Sequence, residues 1–183
     1  RMRSYGLELM LRKNEGKLTG WISYTLSKSQ QQTPGRNDSE TGINNGEWYN
    51  SLYDKTHNLA ITSSYTLNKK WSFGANFAMQ TGQPVTYPTS YYEYQNINVP
   101  SYGLRNENRL PLYHHLDISA TLTPRKNANR NWKGEWVFSV YNVYNRANAA
   151  AYNFGQNVDT GVSEARSMSI FGIIPSVTYN FKF

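Results

Sequence analysis

The stretch Pro175-Ser-Val-Thr-Tyr-Asn-Phe-Lys-Phe183 decides the reading of the fold. Val177, Tyr179, Phe181 and Phe183 alternate with Ser176, Thr178, Asn180 and Lys182, the period of a strand with one apolar and one polar face. Chain ends usually fray in water, where an aromatic row hides little surface. A strand that seals a cylinder in lipid has a use for such a row, so the pattern points to an outer-membrane β-barrel.

The totals agree with that direction. The 183 residues suffice for one domain or for a slice of a larger one. Hydrophobic residues make up 38%, and no run approaches the ~20 apolar residues of a spanning helix. Aromatic residues make up 15%, with 15 Tyr and 5 Trp, an excess that sits badly with disorder. Barrel strands reconcile the two, because only every second residue faces lipid, and Tyr and Trp gather where a ring has both apolar and wet neighbours. The formal charge is +7, but the basic residues are scattered rather than clustered, and no nucleic-acid partner is expected. Basic loops over outer-membrane lipid and lipopolysaccharide suit the charge as well. Without Cys there is neither a disulfide framework nor a thiolate metal site.

Alternation predicts seven strands. The first, about Ser4 to Arg12, sets Tyr5, Leu7, Leu9 and Leu11 against Gly6, Glu8, Met10 and Arg12, and a tight turn follows at Lys13-Asn-Glu-Gly16. The second runs from about Leu18 to Lys28, with Trp21 an exception on the polar face. Asn58 to Leu67 forms the third, Asn68-Lys69-Lys70 turns the chain, and Trp71 to Gln80 forms the fourth. The fifth spans His115 to Thr123, the sixth Glu135 to Tyr144, and the seventh about Ser167 to Phe183. Ser, Thr, Asn, Gln and Gly fill the polar faces, where a soluble sandwich would carry many more Lys and Glu.

Connections alternate strictly in length. Those at Lys13–Gly16 and Asn68–Lys70 are short and Pro124–Lys133 is moderate, whereas about 29–56, 81–113 and 145–166 are long. Short periplasmic turns and long extracellular loops produce this asymmetry in bacterial barrels. The expected fold is all-β, a transmembrane antiparallel barrel, with residues 1–183 forming part of one barrel domain. Seven is odd while single-chain bacterial barrels have even counts, so the chain is expected to continue upstream of Arg1.

Several segments together carry a family resemblance. They are His57-Asn-Leu-Ala-Ile61, Leu67-Asn-Lys-Lys-Trp71, Gln80-Thr-Gly-Gln-Pro84, Leu110-Pro-Leu-Tyr-His-His-Leu-Asp117, Tyr141-Asn-Val-Tyr-Asn-Arg146 and Ile173-Ile-Pro-Ser-Val177. In order and spacing the chain resembles the C-terminal barrel strands of TonB-dependent outer-membrane receptors, of the type with a carboxypeptidase-regulatory-like N-terminal extension. The resemblance implies the last seven strands of a barrel of about 22, closed around a plug domain that is not in this sequence. It further implies uptake of a nutrient, of siderophore, cobalamin, glycan or peptide class, driven by the TonB complex acting through that plug. Implied partners are the plug and upstream strands, the barrel-assembly machinery and a surface lipoprotein; the implied location is the outer membrane of a Gram-negative bacterium.

Ligand contact is expected from the long loops. Trp48, Tyr49 and Tyr53 lie in the first, and Tyr91, Tyr92, Tyr94 and Tyr102 in the second; such rings offer apolar area with a polar edge. Arg105 and Arg109 have planar forks suited to an anionic ligand. Tyr179, Phe181 and Phe183 resemble the terminal signal read by the barrel-assembly machinery, and interfacial anchoring is the plainer reading of the same rings. His114 and His115 point to opposite faces, and His115 with Asp117 makes too small a set for a metal. Asp38, Glu40 and Asp54 fit no EF-hand spacing. Asn142, Asn145 and Arg146 read as a capped strand-to-loop corner. No nucleophile elbow or phosphate loop is present, so neither enzyme activity nor a cofactor is expected. The alternative from another class is a soluble, surface-attached β-domain that binds glycan or protein through aromatic loops. The two separate on whether Leu59, Ile61, Phe73, Phe77, Ile118 and Phe138 point into lipid or into a packed core.

Overall fold

The computed structural model describes residues 1–95, 97–124, 133–156 and 162–182. Its fourteen strands are β1 (Met2–Lys13), β2 (Leu18–Gln31), β3 (Tyr49–Asn50), β4 (His57–Thr66), β5 (Trp71–Gln80), β6 (Pro84–Val85), β7 (Pro88–Tyr94), β8 (Ile97–Tyr102), β9 (Asn108–Arg109), β10 (Tyr113–Leu122), β11 (Lys133–Tyr141), β12 (Ala149–Gln156), β13 (Ser163–Ser169) and β14 (Ile174–Lys182). The fold is all-β and antiparallel. The main sheet has the order β1-β2-β4-β5-β10-β11-β14, with β3 paired to the far end of β2. It is open: among the described residues the outer edges of β1 and β14 pair with no strand.

Local chemistry sets the short turns. Gly16 takes φ 97° between β1 and β2, a conformation that costs glycine no steric clash. Between β4 and β5 the Asn68 side-chain oxygen accepts from the amides of Lys70 (2.8 Å) and Trp71 (3.0 Å), an Asx turn. Within β2, Gly20 has φ 152°, and a Cβ there would meet the Thr62 carbonyl oxygen at 2.2 Å. Only a residue without a side chain lets β4 approach that closely.

Register then sorts the side chains. Leu11, Ile22, Ile61, Phe77 and Leu116 stand opposite one another in sequence across five strands. A second row runs Leu18, Tyr65, Phe73, Ala120, Phe138, Val177. Because partners across a ladder share a face, these rows form one continuous apolar face. The opposite face carries rows such as Arg12, Trp21, Thr62, Asn76 and Asp117. Trp21 is thus an aromatic on the polar side. Rings gather at both ends of the apolar face. At the turn end Trp136 lies 4.7 Å from Tyr179, and Tyr179 stacks on Phe181 at 6.3 Å. At the other end Tyr24 bonds His57 Nδ1 (2.8 Å), and Tyr144 bonds His114 Nδ1 (2.7 Å).

Large apolar side chains are uncovered on this face. Leu7, Leu9, Leu11, Leu18, Phe138 and Val177 are 41–71% exposed. Among the described residues, Tyr49 is the one buried aliphatic or aromatic side chain apart from Pro84, and both lie beyond the main strands' apolar face.

Two expected strands end elsewhere. The sixth stops at Tyr141 rather than Tyr144, because Asn142 turns left-handed at φ 50° and leaves the ladder. The seventh begins at Ile174. Ser167, where it was expected to start, belongs to β13, which pairs with β12 in a separate hairpin. The third long connection therefore runs over 142–173 rather than 145–166. Phe183 lies outside the described residues.

Candidate functional site: loop cap and polar cleft

All three long connections emerge at one end of the sheet, since the strands between them alternate in direction. Asp54, at the end of the first, is buried and acts as a hub. Its carboxylate pairs with the Arg109 guanidinium of the second connection, accepts from the Ser29 amide and lies 3.9 Å from Lys28 Nζ. Arg109 also donates to the carbonyls of Asp54 (3.0 Å) and Gly82 (3.1 Å). Paired amides lock the same two connections twice more. Asn44 exchanges bonds with the Arg105 backbone (2.8 and 3.1 Å), and Asn106 and Asn50 donate to each other's carbonyls (2.8 and 3.3 Å). Asn44 and Asn106 both sit at positive φ, a conformation Asn tolerates better than most residues.

The third connection is held in the same manner. Asn148 accepts from the His114 amide (3.1 Å) and donates to its carbonyl (2.9 Å), while Arg146 donates to the Leu112 carbonyl (3.1 Å). Fully buried Asn142 clamps Arg146 through both backbone groups, at 3.0 and 2.9 Å. Asn145 accepts from the Ile173 amide at 2.9 Å. This is the capped corner that the Asn-rich segment suggests. Tyr87 packs on Phe154 (5.0 Å) and on Tyr152 (5.9 Å). Burial there, and then the neighbouring Tyr152, push the Tyr87 phenol above its ordinary value.

Beneath the cap, where all three connections meet the polar face, lies a cleft of about 380 Å³. Lys55, Gln80, Thr81, Gln83, Tyr113 and His115 supply its polar groups, and Gly82, Leu110, Pro111 and three alanines complete the wall. Lys55 Nζ donates to the Gln80 side-chain oxygen. His115 Nδ1 is 2.9 Å from Asp117, whose oxygen also accepts from the Asn142 amide at 2.9 Å. The Tyr113 and Tyr141 hydroxyls meet at 3.2 Å. His115 is therefore tied into a hydrogen-bonded floor, and among the described residues no group of three His, Cys, Asp or Glu could hold a metal ion.

The aromatic and basic residues expected to touch ligand fall into two sets. Trp48, half-buried, lies under the Arg3 guanidinium at 4.1 Å, and Tyr49 is buried with its hydroxyl 3.2 Å from Thr33. Arg109 is committed to Asp54. These three build the cap. Tyr53, Tyr92, Tyr94 and Tyr102 are 57–79% exposed and Tyr91 is 37% exposed; Arg105 is exposed with its backbone pinned by Asn44. Four of these tyrosines stand on the β7–β8 hairpin, away from the cleft. Lys55, Gln80, Thr81 and Gln83 escaped the sequence reading, although Gln80-Thr-Gly-Gln-Pro84 marks a strand end beside a loop. Glu40 and Asp54, considered above for calcium, both face guanidinium groups.

Comparison with protein-family models, curated proteins and solved structures found no match.

Proposed function

We propose that this chain is the C-terminal barrel portion of a TonB-dependent outer-membrane receptor. In this reading it takes up a nutrient of siderophore, cobalamin, glycan or peptide class, with energy from the TonB complex. One observation carries the reading, namely the uncovered apolar face running in register across seven strands. Leaving the exposed half of each large side chain in water forfeits roughly 1 kcal/mol. Ten such residues forgo an amount comparable with the ~5–15 kcal/mol by which a typical domain is stable. In hydrocarbon that penalty vanishes.

Dimensions support the same solvent. Trp71 and Met79 bracket the apolar part of β5, and eight steps of ~3.4 Å span roughly 27 Å along the strand, or about 21 Å vertically at a ~40° tilt. Adding the ring girdles brings this to the scale of the ~25 Å apolar band of outer-membrane barrels. Unpaired backbone groups cost several kcal/mol each in lipid, so the edges of β1 and β14 take neighbouring strands in a closed barrel. The polar face then lines the lumen around a plug, the loop cap faces outward, and Tyr179 and Phe181 sit at the periplasmic girdle. A soluble binding domain would need a second layer over the apolar face.

The test is the mass and location of the native protein identified by peptides from this chain. The proposal expects it in outer membranes at or above about 65 kDa, taking 22 strands at this chain's mass per strand. A water-soluble species, or a membrane species near 21.1 kDa, would contradict it.

A further inference from the structure

The geometry points to a carboxylate-bearing ligand, one or two rings or residues in size, held in the polar cleft by the Lys55 ammonium; this rests on the receptor reading above. Charge accounting in the cap leads to it. Arg36 pairs with Glu40, Arg109 and Lys28 with Asp54, and Arg166 with Glu164. Among the described residues Lys55 forms no ion pair, and its bond to neutral Gln80 uses one of three N–H donors. The cleft lining contains no Asp or Glu. Asp117, on the same face, is held by His115 and the Asn142 amide. An ammonium therefore stands uncompensated at a wall of neutral donors, which is the arrangement that favours a charge-assisted bond to an anion.

Shape narrows the class. A volume of about 380 Å³ equals roughly a dozen waters at ~30 Å³ each, at the small end of ligand sites. A disaccharide or dipeptide fits, and a folded peptide does not. Tyr113 and His115, edge to face at 5.5 Å, give the ligand an apolar surface. Gln80 and Gln83 offer both donors and acceptors to hydroxyl or amide groups.

An acidic sugar and an acidic peptide share this chemistry, so the experiment carries both. Full-length receptor from outer membranes, in detergent, is titrated calorimetrically with a glucuronate-containing disaccharide, its neutral glucose counterpart, a Gly-Glu dipeptide and Gly-Gln. Lys55→Gln and Lys55→Arg are run beside the wild type. The expected result is that one acid binds at least about tenfold more tightly than its neutral counterpart. Lys55→Gln should erase that preference, and Lys55→Arg should retain it. Equal binding of acid and neutral probes overturns the inference, as does a preference that survives Lys55→Gln, or failure of both acids to bind. These failures leave the receptor reading standing wherever the same preparation is outer-membrane embedded; absence from that membrane overturns the receptor reading itself.

Discussion

In the main sheet, Leu7, Leu9, Leu11 and Val177 stand more than half exposed, while in the loop cap the buried side chains include Ser51, Asp54, Asn106 and Asn142. The sheet is joined by backbone ladders between matched rows. The cap is joined by side chains gripping backbone groups up to 61 residues away. Each region would be a poor structure in the other's surroundings. Hydrocarbon leaves ladders intact and welcomes exposed leucines, whereas a polar network such as Asp54–Arg109 holds together where water hydrates its rim. In the proposed reading one chain is written for two solvents, with the boundary at the Tyr24–His57 and His114–Tyr144 pairs.

Removing the hub should give the largest effect. Asp54→Ala strands Arg109, and breaking a buried pair costs about 3–5 kcal/mol, reduced here because Arg109 is a quarter exposed. The cost should appear as faster proteolysis of the cap, while the denaturation midpoint of the main sheet stays unchanged. Loss of both together would erase the distinction between the regions.

Next comes a matched pair on adjacent residues of opposite faces. Ile61→Arg places charge on the apolar face and should cost roughly 2–4 kcal/mol in barrel folding into lipid. Thr62→Arg, on the polar face, should cost less than about 1 kcal/mol in the same titration. Equal penalties would contradict a lipid-facing row. Gly20→Val should follow at roughly 1–3 kcal/mol, because its Cβ meets the Thr62 carbonyl. A normal folding midpoint for that variant would show that β2 and β4 have slack that the geometry denies.

The smallest effect belongs to pH. Hydrogen bonds from Arg36 hold the Glu40 carboxyl below the ordinary glutamate value. With the folded value below the unfolded one, the contact is complete above ~4.3 and lost as pH falls through the lower folded value. An NMR titration of Glu40 should therefore have its midpoint below that of a free glutamate; Arg36→Gln should restore the ordinary midpoint.

How much of this was legible follows from the kind of bond involved. Trp71–Gln80 matched its expected bounds because alternation is unbroken and Asn68 announces the turn. The start of β14 was hidden. Ile173, Ile174 and Pro175 interrupt the period, and Ser167 and Met168 alternate equally well in a hairpin with β12. Asn142 ended β11 by adopting positive φ, a choice that residue type permits without requiring. The Asn44–Arg105 and Asp54–Arg109 contacts have no local pattern, since their partners lie 61 and 55 residues apart. Lys55 was overlooked for the same reason: its value lies in the carboxylates absent from its surroundings.

The most direct test of the central claim is site-directed spin labelling along β5. The chain itself contains no Cys, so single cysteines at positions 72 through 79 can be labelled in the proposed full-length receptor within outer membranes, once any cysteine elsewhere in that protein has been replaced. Collision with oxygen, which concentrates in lipid, should peak at Phe73, Ala75, Phe77 and Met79, and a water-soluble nickel chelate should favour Ser72, Gly74, Asn76 and Ala78. A profile without that period of two, or one in which Phe73 and Phe77 meet the chelate as readily as their neighbours, would contradict the account.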